Sequence, residues 1–209
     1  MSPKNLIFDL GGVLFDINYQ EPGKRFLALG MQGLKDMFFN SDSNNPFHSY
    51  ERGQISSEEF ADHLLRFAPQ QVRKEQIQEA WNSILTELPL QRIQMLGTLK
   101  QNHRLFLFSN INDWHLQAYR TQLPVPYTEF ESHFEAVYYS CEIGHRKPDP
   151  QGFQHILNQN NLQPEETVFI DDLKENAEGA ARVGIQAWHL DLSSGANVET
   201  LLREKGLLP

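Results

Sequence analysis

Five short apolar runs, each ending near polar or glycine residues, constrain the fold of this chain more than any other feature. They lie at Asn5–Phe8, Arg104–Phe108, Phe134–Tyr139, Thr167–Ile170 and Ile185–His189. Runs of this length are typical of strands that are buried on both faces of a sheet. Segments with apolar residues at helical spacing alternate with them, at Leu90–Gln101, Asp113–Thr121, Asp149–Gln159 and Asn176–Val183. The alternation predicts an α/β fold with a Rossmann-like parallel sheet covered by helices on both faces.

The segment from residue 21 to about residue 88 interrupts this alternation, because it contains no convincing strand pattern. It instead places apolar residues at helical spacing in two stretches, with Ser56 or Ser57 as the expected N-cap of the first. The polar run Asn40–Asn45 is expected to be a loop. We therefore predict a core formed by residues 1–17 and 89–209, and a small helical cap inserted at residues 18–88.

Composition narrows the classes of partner. The formal net charge of −9 argues against nucleic acid and against an anionic membrane surface, since both favour basic proteins. No apolar stretch approaches the roughly 18 residues that a membrane-spanning helix needs. Asp9 interrupts the apolar residues near the N-terminus, unlike a secretory signal, and the one cysteine, Cys141, fits a reducing compartment. We expect a cytoplasmic protein that is a monomer or a homodimer.

Polar side chains follow four of the predicted strands. Asp9 follows the first run, Ser109 and Asn110 follow the second, and Asp171-Asp172 follow the fourth. Lys147 comes a short connection after the third. The carboxyl ends of parallel strands meet at one edge of an open sheet, where ligands bind. Together these groups suit phosphoryl transfer: one carboxylate attacks phosphorus, others hold Mg²⁺, and the hydroxyl and ammonium bind phosphate oxygens.

These segments resemble the four sequence motifs of the haloacid dehalogenase (HAD) superfamily. The matching segments are Phe8-Asp9-Leu-Gly-Gly-Val13, Phe108-Ser109-Asn110, Arg146-Lys147-Pro148-Asp149-Pro150 and Val168-Phe-Ile-Asp171-Asp172 with the following Asn176. The resemblance covers essentially the whole chain, including a helical cap inserted after the first strand, which the family calls a C1 cap. It implies that Asp9 is a nucleophile forming a phospho-aspartate, that Lys147 steadies it, and that Ser109, Asn110 and Lys147 bind phosphate.

The resemblance also implies a Mg²⁺ cofactor and its ligands. Asp9, the main-chain carbonyl of Gly11 and Asp172 would hold the ion directly, and Asp171 would act through water. Asn176 is expected either as a first-turn helix residue or as a hydrogen-bonding support of this site.

Three further segments narrow the resemblance. Tyr50–Ser56, Arg146–Pro148 and Phe169–Asp172 are similar to the subgroup that contains a bacterial α-D-glucose-1-phosphate phosphatase. The implied partner is a small phosphorylated metabolite. The implied reaction is hydrolysis of a phosphate monoester, such as the sugar phosphate glucose 1-phosphate. Arg52 can reach a phosphate or a sugar hydroxyl, although a turn or surface role is the simpler expectation.

The chain departs from the family at Gly11, where most family phosphatases carry an Asp that protonates the leaving oxygen. General acid–base help is worth about 10²–10⁴-fold in rate. Three explanations are open. The leaving group, such as an anomeric sugar oxygen, needs little protonation; Asp16 substitutes as the acid, although it is more ordinary as a linker residue; or the protein is a non-catalytic relative that only binds phosphate.

Metal-free 2-haloacid dehalogenation is another alternative, because the same superfamily uses the same nucleophilic Asp for it. The pair Asp171-Asp172 argues against this reaction. A metal-free site gains nothing from two further carboxylates beside a nucleophile.

Overall fold

A computed structural model of the chain describes residues 2–34 and 45–209. The strands, in chain order, are β1 (Asn5–Phe8), β2 (Asp16–Ile17), β3 (Leu85–Glu87), β4 (Arg104–Ser109), β5 (Ala136–Tyr139), β6 (Thr167–Asp171) and β7 (Gln186–His189). Five of them form one sheet in the order β5-β4-β1-β6-β7, and every neighbouring pair in it is parallel. The predicted α/β fold with a Rossmann-like parallel sheet is confirmed.

Helices occupy both the insert and the connections between the strands. In chain order they are α1 (Glu21–Ala28), α2 (Pro46–Glu51), α3 (Ser57–Leu65), α4 (Lys74–Asn82), α5 (Leu90–Leu99), α6 (Asp113–Gln122), α7 (Tyr127–Glu131), α8 (Ser140–Ile143), α9 (Pro150–Asn160), α10 (Lys174–Ala181) and α11 (Val198–Glu204). The four predicted core helices all appear, with ends that differ by at most two residues. Within the described part of the chain, none of the helices has the length and apolar character needed to cross a membrane.

The central strand β1 shows why the sheet is buried on both faces. Leu6 and Phe8 pack into one apolar cluster together with residues of α5 and α11, such as Leu96. Ile7 points to the other face and packs with Phe153 of α9. Successive side chains of a strand point to opposite faces, so a fully apolar strand requires cover on both sides. The polar residues that follow such a strand are thereby placed at the open edge of the sheet.

The antiparallel pair β2–β3 lies where the chain enters and leaves the insert. Strand β3 contradicts the expectation that residues 21–88 contain no strand. It is only three residues long, and two of these are exposed, so it lacks the apolar run that marks a buried strand. The boundaries of the core and cap at residues 17/18 and 88/89 stay a prediction.

The insert itself is helical and encloses its own apolar cluster, which includes Phe26, Tyr50, Phe60 and Trp81. Ser56 is the N-cap of α3, since its hydroxyl accepts a hydrogen bond from the Glu59 N–H at 3.2 Å. Asn45 caps α2, and residues 40–44 of the predicted polar loop lie outside the described residues.

Candidate active site

Asp9 lies directly after β1, at the carboxyl end of the central strand, and it is buried. Its Oδ1 accepts hydrogen bonds from the Leu10 N–H at 2.7 Å and from Lys147 Nζ at 2.7 Å. The loop that follows closes on itself, because the Gly12 N–H donates to the Phe15 carbonyl at 2.9 Å. One oxygen of the Asp9 carboxylate is therefore held in place at the edge of the sheet where ligands bind.

Lys147 is fully buried between two carboxylates. Its Nζ lies 2.7 Å from Asp9 Oδ1 and 2.7 Å from Asp171 Oδ2. Burial disfavours the charged form, but the charges of Asp171 and Asp9 and their hydrogen bonds outweigh it, so the pKa of Lys147 is raised. The side chain stays a cation and can neutralise an anion bound next to Asp9.

Ser109 ends β4 and Asn110 follows it, beside this lysine. Ser109 is the last residue of the strand and is buried. Both polar atoms of the Asn110 side chain form hydrogen bonds with the main chain of Lys147. Asn110 Nδ2 donates to the Lys147 carbonyl at 2.8 Å, and the Lys147 N–H donates to Asn110 Oδ1 at 2.8 Å. In this structure Asn110 therefore fixes the loop that carries Lys147. Its predicted contact with phosphate, like that of Ser109, stays a prediction.

Asp171 is the fully buried last residue of β6, and hydrogen bonds reach both of its oxygens. Oδ1 accepts from the Leu173 N–H at 2.8 Å and from Asn176 Nδ2 at 3.0 Å, whereas Oδ2 accepts from Lys147 at 2.7 Å. Asn176 thus fills both of its expected roles, as a residue in the first turn of α10 and as a support of the site. These bonds leave Asp171 little freedom to approach an ion directly.

Asp172 has a different environment from its neighbour. Its Oδ2 accepts a hydrogen bond from the Tyr19 hydroxyl at 3.0 Å, while its Oδ1 is buried without a hydrogen-bond partner among the described residues. Burial, followed by the charge of Asp171, raises the pKa of Asp172 to about 6. A buried carboxylate oxygen without a partner is costly, and a cation would satisfy it.

Gly12 makes the close approach of Asp172 possible. Its φ is +74°, a backbone conformation that residues other than glycine rarely adopt. A Cβ at this position would lie 2.6 Å from Asp172 Oδ2. The glycine thus lets the loop after Asp9 lie against the Asp172 carboxylate.

The residues present fit a divalent cation. Asp9, Asp171 and Asp172 each offer an oxygen within 4.8 Å of the others. Burial raises the pKa of Asp9 well above its usual range; Lys147 opposes this, and Asp171 and Asp172 add to it. When ionised, the three carboxylates and Lys147 carry a formal excess of two negative charges, which a divalent ion would neutralise. Oxygen-only donors of this kind suit Mg²⁺.

Asp16 lies outside this group of carboxylates among the described residues. It belongs to β2, and its Oδ1 accepts a hydrogen bond from Arg92 Nη1 at 2.6 Å. Gly11 lies in the loop after Asp9, where it forms a bridge with Phe15. The assignment of Asp16 as the substitute acid, and of the Gly11 carbonyl as a metal ligand, both stay predictions.

Tyr19 is the site residue that sequence reasoning missed. It lies between β2 and α1, in the segment that leads from the sheet into the cap. Desolvation of the hydroxyl and the charges of Asp172 and Asp9 raise the pKa of Tyr19, although the residue as a whole is exposed, so the phenol stays protonated and donates to Asp172. No motif marks it, and the only available signal was its position ten residues after Asp9.

The chain is similar to known proteins along most of its length. It is 25% identical over 186 residues to D-ribitol-5-phosphate phosphatase of Bacteroides thetaiotaomicron, covering 88% of this chain and 90% of that protein. It is 28% identical over 198 residues to a sesquiterpene phosphatase of Aspergillus oryzae, covering 90% and 89%.

A solved structure and a family profile agree with these relatives. A HAD family enzyme of Bacteroides thetaiotaomicron, in complex with magnesium and inorganic phosphate, matches with a TM-score of 0.85 at 30% identity, over 97% of this chain and 100% of that chain. The sequence profile of the haloacid dehalogenase-like hydrolases matches residues 3–184. The chain, with its buried Asp9, Lys147 and Asp171 at the end of a parallel sheet, belongs to the haloacid dehalogenase-like hydrolases.

Proposed function

We propose that this protein is a Mg²⁺-dependent phosphatase that hydrolyses a small phosphate monoester through a phospho-aspartate on Asp9. The observation that carries the proposal is the buried Lys147 ammonium, 2.7 Å from both Asp9 and Asp171 within a group of three carboxylates. Such a group pairs a nucleophile with a cation and keeps a net negative charge that a divalent ion would neutralise. The phosphatase names of two relatives support the same reaction class.

The first step uses Asp9 as the nucleophile. Lys147 holds one carboxylate oxygen, and the other forms the new bond to phosphorus as the bond to the leaving alcohol oxygen breaks. The leaving oxygen takes the electron pair of that bond and acquires a proton from solvent. Lys147, the Ser109 hydroxyl and Asn110 bind the phosphate oxygens. Asp9, Asp172 and the Gly11 carbonyl, with Asp171 through water, would hold Mg²⁺, which would screen the repulsion between the two anions.

The second step releases phosphate. A water molecule attacks the phosphorus of phospho-Asp9 and passes one proton to a phosphate oxygen or to solvent. The phosphorus–carboxylate bond breaks, and the carboxylate is restored together with inorganic phosphate. Lys147 compensates the charge that returns to Asp9. No side chain at Gly11 can move a proton in either step, so leaving groups that need little protonation should react fastest.

That leaving-group preference and one of the relatives both bear on the substrate class. An anomeric sugar oxygen is a better leaving group than a simple alkoxide, which favours a sugar 1-phosphate such as glucose 1-phosphate. The similarity to a D-ribitol-5-phosphate phosphatase favours a sugar-alcohol phosphate instead. We propose a sugar or sugar-alcohol phosphate as the substrate class, with glucose 1-phosphate as the first compound to test.

The reaction can be tested with an aryl phosphate and Mg²⁺. We expect the purified protein to release inorganic phosphate, EDTA to abolish this activity, and added Mg²⁺ to restore it. Asp9→Asn removes the nucleophile, and its rate should fall to the blank. Asp191→Asn, at an exposed position, is the matched control and should keep the wild-type rate. Wild-type activity in Asp9→Asn would refute the mechanism.

The alternatives give different results in the same assays. Metal-free dehalogenation would release halide from a 2-haloacid in the presence of EDTA; the partnerless Oδ1 of Asp172 argues against it. A non-catalytic relative, which the missing acid at Gly11 motivates, would bind phosphate tightly and turn over no compound in a broad panel. A specific role of Asp16 as the acid would slow alkyl phosphates, but not aryl phosphates, in Asp16→Asn.

A further inference from the structure

Tyr19 connects the junction of core and cap to the carboxylates of the site. The chain leaves β2 at Ile17, and the Asn18 N–H donates to the Ile84 carbonyl at 2.8 Å, next to strand β3. Tyr19 is the following residue, and its hydroxyl donates to Asp172 Oδ2 at 3.0 Å. The position of this hydroxyl is therefore set by the paired strands that join the two parts of the protein.

The hydrogen bond divides the two oxygens of Asp172. Oδ2 is occupied by Tyr19, whereas Oδ1 is buried and has no partner among the described residues. The carboxylate also lies against Gly12, so the loop after Asp9 restricts it as well. A carboxylate held through one oxygen presents the other to a ligand, and such supporting bonds are known to govern metal affinity.

We propose that Tyr19 is a positioning residue for Mg²⁺ binding, whose hydroxyl holds Asp172 so that its partnerless oxygen faces the ion. The inference rests on the metal site of the proposed function, but not on turnover of a phosphate ester. Tyr19 donates a neutral hydrogen bond, so it orients the carboxylate without adding a competing charge. Without the hydroxyl, Asp172 would have to be ordered by the ion itself, at the expense of affinity.

Tyr19→Phe tests this inference, because it removes only the hydroxyl. The Tyr19 side chain is 55% exposed, so the variant should fold and keep the Mg²⁺-free melting temperature of the wild type. Isothermal titration with MgCl₂ should show about 10-fold weaker binding, the lower end of the effect of removing a hydrogen bond behind a metal ligand. Tyr127→Phe is the control, since Tyr127 is also an exposed tyrosine but lies on α7, and it should bind Mg²⁺ like the wild type.

A second measurement separates positioning from a merely structural role. The Mg²⁺ concentration that gives half-maximal activity on an aryl phosphate should rise by the same factor in Tyr19→Phe. The rate at saturating Mg²⁺ should return close to the wild-type rate, which a general loss of structure would not allow. Mg²⁺ affinity in Tyr19→Phe equal to or tighter than that of the wild type would overturn the inference.

The outcome also distinguishes this inference from the proposed function. Weaker Mg²⁺ binding in Tyr19→Phe, with no phosphatase activity in the wild type, would refute the proposed function and support the role of Tyr19. Mg²⁺-dependent activity in the wild type, with unchanged Mg²⁺ binding in Tyr19→Phe, would support the proposed function and refute the role of Tyr19.

Discussion

At the scale of single residues, Gly11 leaves the position two residues after Asp9 without a side chain that could donate a proton. A Cβ at this position would lie 3.3 Å from Ile17 Cδ1, which is the end of a flexible side chain, so a larger residue can be accommodated there. The backbone therefore does not require glycine at this position, and the glycine only removes a side chain that could transfer a proton. Restoring a carboxyl group at this position is therefore an informative experiment.

The variant Gly11→Asp should raise kcat/KM for alkyl phosphates by about 10²-fold, the lower end of general-acid help, and change that for aryl phosphates little. An aryl oxide leaves as a stable anion, whereas an alkoxide needs a proton. Steady-state assays on an aryl phosphate and on glucose 6-phosphate measure both values. An equal change for the two substrates would contradict this explanation of Gly11.

His115 is a second residue with a measurable consequence, in this case for stability. It is partly buried beside Trp81, with the rings stacked 5.1 Å apart, and its Nε2 lies 3.2 Å from the Trp81 carbonyl. Burial lowers the pKa of His115 to about 4, although the hydrogen bond to Trp81 opposes the shift. Between pH 6.5 and about 4 the unfolded chain therefore binds a proton that the folded protein does not, and stability falls as the pH falls.

The stability that this histidine removes between pH 7 and pH 5 should be about 2 kcal/mol. His115→Gln can keep a donor to the Trp81 carbonyl and has no titrating ring. Urea unfolding at both pH values should show that the wild type loses about 2 kcal/mol more than the variant. The same pH dependence in both proteins would show that His115 does not remain neutral in the fold.

The residues of the site differ in how far sequence could predict them. Asp9 and Asp171 were predictable because each directly follows an apolar strand, and the geometry of a parallel sheet brings such positions together. The use of Asn110 to hold the main chain of Lys147 depends on how a loop folds back, which no periodicity encodes. Tyr19 was missed for the same reason.

At the scale of elements, two ion pairs join helix α2 of the cap to the loop that carries Lys147. Glu51 accepts from Arg146 at 2.9 Å, and Arg52 lies 2.8 Å from Asp149. The two core partners lie on either side of Lys147-Pro148. Arg52 therefore pairs with a core carboxylate, and the cap contributes to the order of the lysine loop.

Glu51→Gln should lower the free energy of unfolding by about 3 kcal/mol, because it leaves the Arg146 guanidinium without its counter-charge in a buried pair. The side chains of Glu51 and Arg146 are 8% and 14% exposed. The pair of Arg104 and Glu135 is exposed, so Glu135→Gln should cost less than about 1 kcal/mol. Urea unfolding of both variants measures the difference, and equal losses would contradict a buried role for Glu51.

The elements also differ in how readily sequence predicts them. Strands β1, β4 and β6 are covered on both faces, so each leaves an unbroken apolar run. Strands β2 and β3 are short and partly exposed, and they depend on pairing with each other rather than on burial. A pattern of hydrophobicity can reveal strands of the first kind only.

At the scale of the whole molecule, helix α6 of the core contacts the apolar cluster of the insert. Trp114 of α6 packs into the apolar cluster of the insert, with ring centroids 6.0 Å from those of Tyr50 and Phe60. The main-chain N–H of Trp114 donates to the Tyr50 hydroxyl at 3.0 Å. Because α6 begins at Asp113, shortly after Ser109 and Asn110, the packing of the insert is tied to the end of β4 at the candidate site.

We expect the protein to unfold as one unit for this reason. Far-ultraviolet circular dichroism and tryptophan fluorescence should report the same urea midpoint, since Trp81 and Trp114 belong to the cap cluster and Trp188 to the core. Trp114→Ala should lower the single midpoint by the equivalent of about 3–5 kcal/mol. Two separate transitions in the wild type would show that core and cap fold independently.

The two neighbouring glycines after the nucleophile have different evolutionary prospects. At Gly11 only a movable isoleucine stands in the way of a side chain, so natural drift can install or remove a proton donor there without rebuilding the loop. At Gly12 the positive φ and the Asp172 carboxylate close off every substitution that adds a Cβ. In a saturation library selected for Mg²⁺ binding, position 11 should accept many residues and position 12 almost none. Under the proposed function, substrate preference can therefore change within this loop while the proposed metal site stays the same.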